Sequence, residues 1–197
     1  MPRLTRAESQ ARTRELLSET AQRLFLRDGY HATSLEKVAE TAGYSKGAVY
    51  SNFRNKDELC LVVVDRLYAE RIAEIAKAFS GGTLDERLRA FEDYAEVMLG
   101  DAPRTQFEVE FALQARQNAD LQTELGRRDA LVVRALADLI RSQAEEFGLT
   151  PLLPPHDLAR TLLSLGIGLG VQRFVVQGVL PVRVLTDTVR VLLGIAL

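Results

Sequence analysis

A chain of 197 residues with 47% apolar content is long enough to bury a substantial core, which excludes disorder as its default state. One cysteine, Cys60, and two histidines, His31 and His156, exclude an internal disulfide framework and leave no clustered metal ligands, so a reducing cytoplasm is the compartment that fits. The net charge of −2 is uneven: residues 1–56 hold ten Lys and Arg against six Asp and Glu (+4), and residues 57–197 hold fifteen against twenty-one (−6). Because attraction to phosphate is screened within about 8–10 Å at ordinary salt, a locally basic module can meet nucleic acid within an acidic protein.

Apolar residues recur with a 3.6-residue period along almost the whole chain, and no alternating β-branched run bounded by turn signals interrupts them, so an all-α fold of about nine helices is expected. The first helix is predicted over about Ser9–Arg27, with Leu17, Ala21, Leu24 and Phe25 on one face and Asp28-Gly29 as its stop. Thr33 or Ser34 caps a short second helix: Glu36 completes a capping box if Thr33 is the cap, and Lys37 occupies that position if Ser34 is. Ala42-Gly43 closes this helix, and Ser45 caps a third that runs to about Asn52.

A long fourth helix is predicted from Lys56-Asp57 to Phe79, ended by Gly81-Gly82, followed by amphipathic helices over Asp85–Leu99, Arg104–Asn118 and Leu121–Phe147. Thr150-Pro151-Leu152-Leu153-Pro154-Pro155 forbids helix continuation and reads as a linker. Helices from about His156 to Gln177 and from Pro181 to Ala196 complete the chain, with Gly178 as the stop between them. The apolar run Leu162–Val171 is about half the length a bilayer-spanning helix needs, so a buried core helix is expected. The polar N-terminus lacks the apolar stretch of a secretory signal, so neither export nor a membrane partner is expected.

Two short helices joined by Ala42-Gly43-Tyr44 behind a longer one match the three-helix geometry of a helix-turn-helix, whose third helix enters the major groove. The stretch becomes specific when read whole: Gly29-Tyr30, Thr33-Ser34-Leu35, Val38-Ala39, Ala42 through Phe53 (AGYSKGAVYSNF) and Lys56-Asp57-Glu58-Leu59. It closely resembles the TetR/AcrR family of bacterial regulators. Asn52 stands where that family usually has Tyr or His, and Tyr44 where it usually has Val.

The resemblance implies a helix-turn-helix DNA-binding domain over residues 1–56 and a larger helical ligand-sensing and dimerisation domain over 57–197. Ser34 and Lys37 would then lie against the DNA backbone, and Lys56 would act as a phosphate anchor. Ser45, Lys46, Gly47, Ala48, Tyr50, Ser51 and Asn52 would present the recognition face. Elementary chemistry agrees: Ser45 opens a helix N-terminus, Lys46 adds a cation, and Gly47-Ala48 carry no bulk to block close approach. The Tyr50 hydroxyl suits a phosphate and its ring a thymine methyl, while Asn52 suits a phosphate or adenine. Leu35, Val38, Val49 and Phe53 are expected in the core. Arg3, Arg6, Arg12 and Arg14 read either as an arm tracking phosphates or as a solvated tail.

Gly166 and Gly170 lie one turn apart, and Val182, Leu185, Val189, Leu192 and Leu193 recur at helical spacing. Two such helices meeting their symmetry mates would form a four-helix bundle, as the resemblance also implies, so a homodimer interface is expected there. Phe91, Tyr94, Met98, Phe107, Phe111, Gln114, Leu131 and Arg134 together have the composition of a pocket for a small-molecule effector, while any one of them taken singly reads first as ordinary helical core. The function expected is a repressor released from a palindromic double-stranded operator by that effector, with no cofactor. Two other functions compete with this one on an all-α scaffold. An all-α enzyme lacks a nucleophile elbow, P-loop, metal-spaced ligands or a catalytic triad in this sequence. A regulator that has lost DNA binding and acts through protein contacts is the second. Gly166-Ile167-Gly168-Leu169-Gly170 follows no strand and has the wrong spacing for a nucleotide loop.

Overall fold

The computed structural model describes residues 5–176 and 181–195; Arg3 and Gly178, singled out above, lie outside them. Among the described residues it contains nine α-helices and no strand: α1 Arg6–Asp28, α2 Leu35–Thr41, α3 Lys46–Asn52, α4 Lys56–Ala78, α5 Leu84–Leu99, α6 Ala102–Ala115, α7 Ala119–Phe147, α8 Pro155–Val175 and α9 Arg183–Leu192. The α1 helix starts three residues earlier than its apolar period indicates, because Thr5 and Glu8 form a reciprocal capping box. The same device, Thr83 with Glu86, starts α5.

The chain divides into two compact units, residues 1–67 with 106–125, and residues 68–105 with 126–197. This partition differs from 1–56 and 57–197: the first unit keeps the Lys56–Leu67 part of α4 and takes in most of α6. The reason is aromatic packing. Phe25 stacks on Phe107 at 5.3 Å between ring centroids, Tyr30 lies 5.5 Å from Phe111, and the two α6 rings lie parallel at 6.1 Å. Phe107 and Phe111 are therefore part of the first unit's core, together with Leu17, Leu24, Val38, Val49, Phe53, Leu59 and Val63.

In the second unit α5 packs against α8 and α9. Ala95 and Leu99 meet Leu169, Val182 and Leu185, and Leu88 meets Leu158, Val189 and Leu193. Arg87, buried on α5, donates to Gln143 Oε1 and to the Glu146 carboxylate on α7, at 2.7 Å each, and to the Gly81 carbonyl at 3.1 Å. The proline segment is tied down where the Leu152 N–H donates to the Leu192 carbonyl at 2.8 Å.

The stripe expected to form the dimer interface is turned inward. Val182, Leu185, Val189 and Leu193 are buried within the protomer, Gly170 lies against Leu99, and Gly166 and Leu192 are half-buried. Helical spacing identifies an apolar face but not its partner, and here α5 is the partner of that face of α9. The outward apolar side chains are Ile167, Phe174 and Val175 on α8 and Val184 and Val191 on α9, each 43–69% exposed.

Candidate nucleic-acid interface

The turn between α2 and α3 is set by backbone hydrogen bonds. The Tyr44 N–H donates to the Ala39 carbonyl at 2.8 Å and the Gly43 N–H to the Glu40 carbonyl at 3.1 Å, with Gly43 at φ +75°: a Schellman closure that only glycine adopts without strain. Ser34 caps α2 by accepting the Lys37 N–H at 3.1 Å, and Ser45 caps α3 by accepting the Ala48 N–H at 3.3 Å. The caps thus occupy one acceptor site of each hydroxyl oxygen. Of the two caps the sequence allows for α2, the structure uses Ser34, which leaves Glu36 outside a capping box.

Val49 and Phe53 anchor α3 in the core, which leaves Lys46, Gly47, Tyr50 and Ser51 on its exposed side, at i, i+1, i+4 and i+5. The missing side chain of Gly47 and the methyl of half-buried Ala48 let this surface approach a partner closely, and among the described residues a Cβ at Gly47 would first meet Ser45 Oγ, at 3.7 Å. Ser51 donates its hydroxyl to the Ala48 carbonyl at 2.9 Å.

Several expected contact residues are already engaged. Lys37 pairs with Asp28 at 2.9 Å. Arg27 first, then Lys37, hold the Asp28 carboxyl well below the usual carboxylate range. The Lys56 ammonium sits 3.9 Å from the centroid of the Tyr30 ring, and burial lowers its pKa from the ordinary lysine value. Tyr30 in turn donates to Asp57 Oδ1 at 2.6 Å; burial, then that carboxylate, push the phenol far up. The Tyr50 hydroxyl donates to Glu36 Oε1 at 2.7 Å.

Asn52 does not stand out from α3 as expected. Its Nδ2 donates to the Ala48 carbonyl at 2.8 Å, and its Oδ1 is buried without a hydrogen-bond partner among the described residues. The end of the helix explains this: Phe53 turns into the core and draws Asn52 in beside it. Arg14 is neither a DNA-tracking arm nor a solvated tail. Its guanidinium donates to the Asn52 carbonyl at the C-terminus of α3, lies 4.2 Å from the centroid of Phe53, and pairs with Glu58 at 3.6 Å. It ties the end of α3 to α1 and to the start of α4. Arg6 and Arg12 are exposed on α1.

The sensing residues are not gathered in one unit. Phe91, Tyr94 and Met98 are half-buried on α5, with Phe91 and Met98 packed on the α8–α9 core. Phe107 and Phe111 belong to the first unit, as does half-buried Gln114. Leu131 is 62% exposed on α7, and Arg134 is exposed beside it. A groove of about 490 Å³ in the second unit is lined by Arg141, Ala144, Glu145, Leu149 and residues 151–155, and contains none of these eight.

Comparison with known proteins agrees with this architecture. The family described as "Bacterial regulatory proteins, tetR family" matches residues 17–63, which span the second half of α1 to the first turns of α4. The HTH-type transcriptional regulator YfiR of Bacillus subtilis is 26% identical over 176 residues, 85% of this chain and 82% of that protein. The HTH-type transcriptional repressor Rv1474c of Mycobacterium tuberculosis is 27% identical over 84% of this chain and 83% of that protein. The HTH-type transcriptional regulator TtgR of Pseudomonas putida is 41% identical over 68 residues, which are 34% of this chain and 32% of that protein. A crystal structure from Rhodococcus sp., described as a TetR-family transcriptional regulator, superposes with a TM-score of 0.73 at 20% identity, over 93% of this chain and 99% of that one, and so shares the fold.

Proposed function

Since this chain belongs to the TetR/AcrR family of DNA-binding transcriptional regulators, we propose that it is a homodimeric cytoplasmic repressor that reads a palindromic operator and is released by a small molecule. The observation that carries the reading is the surface of α3: Lys46, Gly47, Tyr50 and Ser51 share one exposed side of a helix held from behind by Val49 and Phe53. That is the shape a major groove accepts, with short side chains where the backbone comes closest. Lys46 and Lys56 supply affinity for phosphate; Tyr50 and Ser51 supply the groups that meet base edges or sugar.

One seven-residue helix reads too few bases to select a site, so a two-fold pair is needed, with half-sites about 34–36 Å apart or a multiple of it. The outward apolar side chains of α8 and α9, Ile167, Phe174, Val175, Val184 and Val191, support that pairing. Effector sensing is assigned to the second unit around Phe91, Tyr94 and Met98. The continuity of α4 from the first unit into the second supports it as the element whose shift changes operator affinity, and coupling of about 1–3 kcal/mol suffices.

The test is selection of duplexes from random DNA, followed by titration of the recovered duplex against salt. A regulator gives a palindrome and a log–log slope of about −0.9 per neutralised phosphate; a protein acting only through other proteins recovers nothing. Sedimentation of the free protein as a monomer at all working concentrations would refute the dimer. Operator affinity unmoved across a broad small-molecule screen that includes the natural inducers would refute release by an effector.

A further inference from the structure

The Glu36 carboxylate is an unexpected group on this surface. It sits at the second position of α2, where an acid favours the helix N-terminus, and that alone would account for it on an ordinary solvated helix. Its geometry does more: Glu36 reaches across to α3 and accepts the Tyr50 hydroxyl at 2.7 Å, fourteen residues away in sequence. Tyr50 is 51% exposed, so this bond is formed on the outer surface of the helix-turn-helix, with about half of the residue left uncovered.

A tyrosine on a helix has two rotatable torsions, and an untethered one swings its ring through several rotamers. Tying the hydroxyl to α2 leaves the ring in one orientation. It also changes what the residue offers. The hydroxyl proton is already donated to a carboxylate, and that carboxylate repels any phosphate that would compete for it. Glu36 is held ionised below the ordinary glutamate value by the Tyr50 hydrogen bond first, with the Lys46 ammonium contributing. With its proton committed, the hydroxyl has none to donate to a phosphate and keeps only an acceptor oxygen, and the residue turns the apolar face of its ring to a duplex.

We propose that Glu36 is a specificity-determining positioning residue, which orients Tyr50 so that its ring, and not its hydroxyl, meets the DNA. The inference rests on α3 being the element that contacts DNA. The partner this geometry suits is an apolar edge in the major groove, such as a thymine methyl. The carboxylate also lowers affinity for DNA of any sequence, so that discrimination is gained at the expense of strength.

The test uses the full-length protein with two duplexes, one recovered by selection with the wild type and one of random sequence, and reads the dissociation constant of the random duplex divided by that of the selected one. Glu36→Ala and Tyr50→Phe each cut the tether from one end, so each lowers that ratio by about fivefold or more, and the double variant lowers it no further than either alone. Glu36→Gln keeps an acceptor for the hydroxyl and retains the ratio, while binding both duplexes more tightly because a negative charge is gone. Replacing thymine by deoxyuridine at the position Tyr50 reads weakens the wild type more than it weakens Glu36→Ala. The proposal is overturned if Tyr50→Phe weakens both duplexes equally, which marks the hydroxyl as a phosphate donor. It is also overturned if Glu36→Ala and Glu36→Gln behave alike, which leaves only a charge effect. A wild type that recovers no duplex at all refutes the role of α3, and this inference with it; thermal melts of each variant separate either result from misfolding.

Discussion

Replacing Arg14 with alanine separates a residue that holds α3 in place from one that touches phosphate. Three contacts are lost. A charge-assisted hydrogen bond to the Asn52 carbonyl contributes about 1.5–3 kcal/mol in a shielded setting. The cation–π contact with Phe53, at 4.2 Å, adds about 0.5–1 kcal/mol. The pair with Glu58, whose partners are 40% and 26% exposed, adds at most about 1 kcal/mol. Water replaces part of the hydrogen bond at a side chain this accessible, so the net loss is about 1.5–3 kcal/mol, or about 3–12 °C in melting temperature for a chain of this size. Operator affinity falls because the C-terminal end of α3 loosens. The salt dependence should not change, because no phosphate contact is removed. Fluorescence anisotropy of a selected duplex, titrated between about 50 and 200 mM salt, reads both quantities. A slope smaller in magnitude by about 0.9, with the melting temperature intact, would show that Arg14 is a phosphate contact and refute the clamp.

Four further outcomes are expected. Asn52→Ala should change discrimination between the operator and single-base variants by less than about 0.5 kcal/mol in competition assays, because the amide is turned onto Ala48; a change of about 1–3 kcal/mol would mean that the side chain swings out on binding. Gly29→Ala should destabilise by about 1–3 kcal/mol, read as a lower urea midpoint, because Gly29 lies at φ +83°, ψ 171° and a Cβ there meets the Glu110 carboxylate at 2.8 Å. Burial raises the Glu110 pKa, but donation from Gln106 and from the His31 and Tyr30 N–H groups outweighs it, so the folded value lies below 4.5. Its stabilisation is therefore present above that value and lost as the pH falls through the folded pKa, so thermal melts of Glu110→Gln and wild type should differ at neutral pH and converge in acid. Ile167→Asp combined with Val184→Asp should give a folded monomer by sedimentation and circular dichroism, whereas Val189→Asp, at a site only 4% exposed, should lose the fold of the second unit.

The helices were largely legible because local signals mark them: the Gly43 turn, the Ser34 and Ser45 caps and the Pro151–Pro155 break all act where the residues say they should. The early start of α1 was legible too, since Thr5 and Glu8 have capping-box spacing, a stronger signal than the apolar period at a polar end. The contacts that shape the interface surface were not. Glu36 with Tyr50, Arg14 with Asn52 and Lys56 with Tyr30 join residues far apart in sequence, and no spacing rule relates them.

By itself the sequence determined an all-helical chain and the position of its helix-turn-helix, because periodicity, caps and glycine turns are short-range chemistry. It also determined which side of each helix is apolar. Only the tertiary structure decided what each apolar side meets. The α9 stripe expected to join two protomers packs on α5 instead, and Phe107 and Phe111, expected around an effector, pack on Phe25 and Tyr30 in the core of the first unit. Hydrophobic burial is non-directional: it requires that an apolar face be covered, and the folded chain selects which partner covers it.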